Sequence, residues 1–455
     1  MQQFLKVKIT GNNQTDQKHL EAGSEIADQL GLHNDQVISF CVGQSCIQLN
    51  VKRKKIIAQQ FNLNPNLLKM VGILEEREYG IMRKANQIHI GPVIGIMADN
   101  SGDSQRPFRD QSFFISQLIK QGREIGAICF AFSANDINFT AGKIQGLSYN
   151  NKTWKPNNYP FPDVIYARYK GHSFRKNDIR NKLLKAGCKF INPALLGKWK
   201  SYKILSENAA LQAYLPDTRM IKSFKDVEEM LKKYRVVYMK PVAGSQGENI
   251  IRVSQARNSN LYKYQYQQNK RSIKGTAHSI NELQLNLKKV MGRQSYIVQQ
   301  QIKLLRIQGG LVDMRVMVQK NESGHWAVTG KVCRIGKSGS ITSNISSGGS
   351  ACEVNELLAL RFTDPQHVAR ISAEIDYLAL QAALGIEKHY TPIGELGIDI
   401  GLDQDARLWF IEANLKPARK VFSLIGASAT RLLSVQRPLL YARYLAGYQE
   451  SADGK

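Results

Sequence analysis

Residues 236–253, VVYMKPVAGSQGENIIRV, end a hydrophobic run on Lys240 and follow it with Gly244, Ser245 and Gly247. A cation beside a loop of small residues suits phosphate, because an ammonium and exposed backbone N–H groups both favour an anion. The order differs from a Walker loop, whose glycines precede the lysine and whose lysine opens a helix. Here the strand-like run IIRV follows, so the loop would be a hairpin tip folding its amides over phosphates from above. An ordinary hairpin with a lysine at its shoulder fits the stretch equally well. A second group lies in GELGIDIGLDQDARLWFIEANLKPARK, which reads as two strands turning at residues 403–407. Glu412 and Asn414 are two apart, hence on one face of their strand, and Asp399 on the partner strand can face them. Two carboxylates and an amide, completed by phosphate oxygens, describe a Mg²⁺ site for a nucleotide. Apolar neighbours flank these residues on both faces, and a buried strand carries few charges without reason. Arg315 likewise interrupts the buried strand DMRVMV, and KVCRIGKSGSITSNISSGGSA supplies Arg334, then Asn344, then a glycine pair. SYIVQQQI ends a strand on consecutive glutamines, whose backbone could meet an adenine edge.

The elements that must position these groups form a long, mixed chain. At 455 residues there is room for two or three domains with buried cores. A hydrophobic fraction of 43% and a charged fraction of 22% are those of a globular protein. The start, MQQFLKVKITGNNQ, lacks a signal-peptide pattern, and no apolar run reaches a membrane span. Six scattered cysteines include one close pair, Cys41 and Cys46, without a histidine pair; zinc is not indicated, and reduced thiols in a cytosolic setting are expected.

Up to residue 88 short alternating strands predict a small β-rich domain. From Gly91, GPVIGIMAD, SFFISQLIKQG and AICFAFS read as strand, helix and strand, the start of an α/β layer. GLSYNNKTWKPNNYPFPDVIYARY predicts a hairpin and a third strand. After Asn192-Pro193 come a helix in KWKSYKILSENAAL, a strand near Thr218, and a helix capped by Ser223. The tyrosine-rich polar segment 254–280 could interleave aromatics with bases, but a β-extension with its tyrosines on the packed face is favoured. The helix EIDYLALQAALGIEKHY leads to the two final strands.

Taken together, INPALLGKWKSYKIL, YMKPVAGSQGENI, DMRVMVQKNESGHWAVTGKVCRIG, NISSGGSA and GELGIDIG…WFIEANLKPAR resemble the ATP-grasp ligases. Within these the chain looks like the YheC/YheD branch of Bacillus-type bacteria, described as endospore coat-associated. The motifs cover most of residues 190–425. The resemblance implies an α+β and α/β multidomain chain: an ATP-grasp fold preceded by an α/β pre-ATP-grasp domain and the small β-rich domain. The expected boundaries are 1–88, 89–192, 193–297 and 298–445, with a tail at 446–455. It implies that Lys203 and Lys240 grip ATP phosphates and that Gly244, Ser245 and Gly247 form the lid. Gln299, Gln300 and Ile302 would lie at the adenine hinge, where glutamate is usual in place of one glutamine. Asp399, Glu412 and Asn414 match the ligands of two Mg²⁺ ions. Arg315 and Arg334 match the arginines facing the γ-phosphate and acyl phosphate, with Asn344 supporting them. The last motif often reads N-x-x-P-G; here Ala418 stands for that glycine.

The implied reaction joins a carboxylate substrate to an amine acceptor at the expense of ATP, releasing ADP and phosphate. The net charge of +26 adds an expectation about the substrate: attraction to polyanions, with an acidic peptide or polymer ahead of nucleic acid, against the plainer reading of a generic solvated basic surface. Lys198, Lys200, Lys203, Lys416, Arg419 and Lys420 crowd the site motifs in sequence. The alternative reading is a spore-coat structural protein that keeps the fold and binds nucleotide without turnover. Location is expected to be cytoplasmic, with spore association; no motif addresses oligomeric state.

Overall fold

Alternating apolar positions near the N-terminus close on themselves. The computed structural model describes residues 5–55, 59–73, 76–171, 173–192, 196–243, 249–256, 259–268, 271–343, 345 and 348–448. Strands β1 (Leu5–Gly11), β2 (His19–Gly23), β3 (Val37–Val42), β4 (Ser45–Lys54), β5 (Gln60–Leu63), β6 (Arg77–Lys84) and β7 (Gln87–Gly91) form a closed barrel, order β1-β5-β2-β4-β3-β7-β6. Two short helices, α1 (Ser24–Gln29) and α2 (Pro65–Met70), sit in its connections. Closure removes the open strand edges that a small β-rich sheet would expose. Cys41 and Cys46 face each other across the β3–β4 hairpin, with Cα atoms 4.1 Å apart, and are joined in a disulfide. This corrects the expectation of reduced thiols; the other four cysteines are free. The barrel includes β7, so its last strand runs past the expected boundary at residue 88.

A second sheet follows, from β8 (Val93–Met97), β9 (Ile128–Phe132), β10 (Ile137–Asn138), β11 (Lys143–Asn150), β12 (Thr153–Pro160), β13 (Val164–Ala167) and β14 (Lys189–Ile191). Its centre, β9-β8-β13-β14, is parallel, and the β11–β12 hairpin lies antiparallel at the edge. Parallel strands are buried on both faces. One face, with Phe130, Phe132, Ile165 and Phe190, shares a core with the barrel. The other packs Ile94 and Ile96 against α3 (Ser112–Glu124); α4 (Phe174–Lys185) leads into β14.

The third sheet is antiparallel: β15 (Thr218–Met220), β16 (Val236–Pro241), β17 (Ile251–Gln255), β18 (Tyr262–Gln268), β19 (Arg271–Ala277) and β20 (Tyr296–Gln300), order β15-β20-β16-β17-β18-β19. Helices α5 (Lys198–Ser206) and α6 (Ala209–Gln212) precede it; α7 (Phe224–Tyr234) and α8 (Ile280–Met291) cover one face. Ser223 and Asp226 close α7 with a capping box. The tyrosines of β18 pack on that covered face, Tyr262 and Tyr266 in the core and Tyr264 beside it.

A fourth sheet holds β21 (Arg306–Ile307), β22 (Gly310–Lys320), β23 (Trp326–Ile335), β24 (Ser350–Cys352), β25 (Glu395–Leu402) and β26 (Leu408–Asn414), order β24-β23-β22-β25-β26 with β21 on β22. Helices α9 (Val354–Arg361) and α10 (Pro365–Glu387) bury their apolar sides against it. The short α11 (Lys420–Leu424) and the long α12 (Ser428–Ala446) end the described chain. Helix α12 does not belong to one lobe: Val435, Leu439 and Ala442 complete the core of the second sheet, while Ser434 touches the fourth. Pro438 lies inside it and has no N–H. The carbonyl of Ser434, four residues back, is thereby released from the helix ladder. It accepts from Gln319 Nε2 and Arg419 Nε, both at 3.0 Å. Among the described residues no helix is long and apolar enough to cross a membrane.

Candidate functional site

Strand alternation decides what the third sheet offers. Val237 and Met239 are fully buried under α7 and α8, which turns Tyr238 and Lys240 to the open face. There both line a cleft toward the fourth sheet. Lys240 Nζ donates to Gln299 Oε1 at 2.6 Å, and Gln299 Nε2 donates to Thr218 Oγ1 at 2.8 Å. The amide thus aims the lysine. Burial pulls the Lys240 ammonium down to about 8; Glu412 opposes the shift and Lys198 adds to it. The side chain of Gln300 accepts from the Asp217 amide at 2.9 Å. The amides of Gln300 and Gln301 are bonded to the Asp217 and Val236 carbonyls.

The opposite wall is built from cross-strand charge pairs. Register sets Asp313 on β22 opposite Arg334 on β23, and Arg315 on β22 opposite Asp399 on β25. Arg334 grips Asp313 with two bonds of 2.7 and 2.5 Å and reaches Asp399 Oδ2 at 2.9 Å. Arg315 holds both Asp399 oxygens, one at 2.9 Å. Its side chain crosses Gly397, where a Cβ would stand 3.2 Å from its Cδ, so the missing side chain gives it passage. Burial alone would raise the Asp399 carboxyl, but Arg315 and Arg334 outweigh it and hold it at about 2. On β26, Asn414 Nδ2 donates to Glu412 Oε1 at 3.1 Å, and Lys198 Nζ stands 3.5 Å from Glu412 Oε2.

Lys240, Gln299, Gln300, Ile302, Arg334, Asp399 and Glu412 all line this one cleft, which holds ≈ 890 Å³ including solvent at its mouth. Arg315 and Asn414 act from behind, through their bonds to Asp399 and Glu412. Gly244, Ser245, Gly247 and Asn344 lie outside the described residues. Lys203 does not reach the cleft: it is exposed on the last turn of α5. Lys198 lines the cleft instead. Five residues separate the two, which at 100° per residue turns them about 140° apart on a helix. Once Lys198 faces the cleft, Lys203 faces away. Asp313, Tyr238 and Ser343 also line it and were not singled out. Asp313 was detectable by the argument that found Arg315, a charge inside an apolar strand. The phase of α5 was not, because three lysines share its nine residues.

The neighbouring cations are not all rim groups. Arg419 is buried and bonded to Glu395, and Lys416 Nζ is bonded to the Tyr169 carbonyl. Among the described residues no group of three or more His, Cys, Asp or Glu side chains is set for a metal. The oxygen donors available in the cleft are the Asp399 and Glu412 carboxylates with the Asn414 amide beside them.

The chain matches the profile of the YheC/D like ATP-grasp family over residues 187–445. It is 27% identical over 422 residues to endospore coat-associated protein YheD of Bacillus subtilis (strain 168), covering 91% of this chain and 92% of that one. Endospore coat-associated protein YheC of the same organism is 25% identical over 316 residues, covering 68% of this chain and 85% of its own. Among solved structures, VanG D-Ala:D-Ser ligase from Enterococcus faecalis is 12% identical with a TM-score of 0.44, over 77% of this chain and 99% of that one. The family match spans the third and fourth sheets and the cleft between them, and this chain belongs to the YheC/D-like ATP-grasp family.

Proposed function

We propose that the protein is an ATP-dependent carboxylate–amine ligase, using ATP and Mg²⁺, that works on an acidic peptide or polymer. One observation carries this reading: Lys240 of the third sheet and Lys198 of α5 line a single cleft together with Arg334, Asp399 and Glu412 of the fourth sheet. A carboxylate and a γ-phosphate repel each other, so phosphoryl transfer between them needs fixed positive charge around the transferring group. Lys240 supplies it from the third sheet, Lys198 from α5, which packs on the fourth-sheet core, and Arg334, with Arg315 behind it, from the fourth sheet. The backbone at Ile302 is left to meet the adenine, since the amides of Gln300 and Gln301 and the backbone of Lys303 and Leu305 are already bonded. Asp399, Glu412 and Asn414 offer hard oxygen donors that suit Mg²⁺, which when bound neutralises phosphate charge.

The substrate carboxylate oxygen attacks the γ-phosphorus and ADP leaves. The amine then attacks the acyl carbon of the acyl phosphate, phosphate leaves, and an amide remains. The curated relatives are named for the endospore coat, and a spore-associated setting is part of the proposal. The test is ADP release from Mg·ATP with acidic peptides as carboxylate donors and free amines as acceptors. Glu412→Gln keeps the size of the side chain and removes its charge, and is expected to abolish turnover with an unchanged circular dichroism spectrum. Turnover near the wild-type rate in that variant would remove Glu412 from the mechanism.

A further inference from the structure

The positive charge of the chain is unevenly placed. Residues 193–297 hold 19 Lys and Arg against 7 Asp and Glu, and from Asn249 to Ala277 there are six cations and no carboxylate. That segment is the outer half of the third sheet, β17-β18-β19, with β19 at its edge. Its two faces differ sharply. Ile251, Val253, Tyr262, Tyr266 and Ala277 point to α7 and α8. The alternate positions make the opposite face, and register aligns them across strands: Tyr238, Arg252, Gln265 and Lys274 in one row, Ser254, Lys263 and Thr276 in the next. Tyr238 in the first row already lines the cleft, so the basic face is continuous with the proposed nucleotide site. Arg306, exposed on β21, adds its charge beside Tyr238. Lys263 and Lys274 are exposed, and neither pairs with a described carboxylate.

We infer that this open face of β17-β18-β19 is a docking surface for an acidic polypeptide, which it leads toward the cleft. Polar Ser, Thr, Gln and cationic side chains alternate along it, and no carboxylate interrupts it, which is the complement of a run of Asp or Glu. Single-stranded nucleic acid fits less well. Its recognition stacks successive bases on aromatic side chains set among the cations, whereas the tyrosines of β18 are spent on the covered face and the two rows named here offer Tyr238 alone, at the cleft end. The inference rests on the ligase reading only for its purpose, since docking itself needs no turnover.

Fluorescence anisotropy of a labelled oligo-L-glutamate tests it on the full chain. Lys263→Glu with Lys274→Glu is compared with Lys288→Glu with Lys289→Glu, an equal change of net charge on exposed positions of α8. Binding is expected to weaken about tenfold or more in the first pair and less than about twofold in the second. Equal loss in both variants would show that net charge alone acts and would overturn the docking surface. So would tighter binding of a labelled oligonucleotide than of oligo-L-glutamate to the wild-type face. If Mg·ATP-dependent ADP release fails while the site-selective loss of oligo-L-glutamate binding holds, the surface stands and the ligase reading falls. If the ligase reading holds, the first pair is expected to raise KM for an acidic peptide with kcat unchanged; an unchanged KM would count against the surface.

Discussion

At the scale of single residues the charges of the cleft each rest on a polar partner. Lys198 stands 3.5 Å from Glu412, Arg334 is shared between Asp313 and Asp399, and Lys240 rests on the Gln299 amide. Without such partners these buried charges would each carry a large desolvation cost. The phase of α5 makes a discriminating prediction. Lys198→Met is expected to abolish stabilisation by Mg·ATP, and Lys203→Met to leave it intact. Thermal denaturation checks this, because ligand at ~100 times its dissociation constant stabilises by ~2.7 kcal/mol. An equal loss in both variants would return Lys203 to the site.

Elements meet through a few buried polar groups whose titration should be visible. Asp163, just before β13, accepts the Val93 amide at 2.8 Å and so ties β13 to the start of β8. Burial raises its carboxyl from the ordinary 3.8 to about 6, with the Val93 amide, Lys84 and Lys189 pulling the other way. The folded chain therefore binds this proton more tightly than the unfolded chain, and stability from this group is highest at low pH and falls as pH rises through 6. Asp163→Asn keeps an acceptor for the amide and cannot ionise. It is expected to gain up to about 3 kcal/mol over wild type above pH ~7, the gain vanishing as pH falls toward ~4. Melting temperatures across that range decide it, and a gain independent of pH would show that the carboxyl is not the cause.

For the whole molecule, the junction of the second sheet, the fourth sheet and α12 is one buried network. Glu395, fully buried, accepts from Tyr166 at 2.5 Å, from Arg168 and Gln319 at 3.1 Å, and from Arg419. Asn192 clamps the Glu395 backbone from the other side, donating to its carbonyl at 3.0 Å. Arg419→Met would leave Glu395 short of a cation in the interior, a change that costs about 3–5 kcal/mol. Because the network joins sheets that each have a core, the loss is expected to split calorimetric unfolding into two transitions. A single, merely lower transition would mean that α12 alone couples the parts.

The sequence by itself determined the chemistry available to this protein. A lysine closing an apolar strand, arginines inside others, and the triad Asp399, Glu412, Asn414 are local patterns, and strand period and burial cost make them legible without coordinates. It also determined that β18 packs its tyrosines, since alternation alone puts them on one face. The tertiary structure decided what depends on distance between chain segments. Whether Lys198 or Lys203 meets Glu412 is a matter of helix phase against a strand more than 200 residues away. That the early strands close into a barrel, that Cys41 meets Cys46, and that α12 leaves its lobe to finish the second sheet follow from register and from Pro438 freeing one carbonyl. Arg419 read as a surface cation for the same reason: its partner, Glu395, is close only once the sheets have packed.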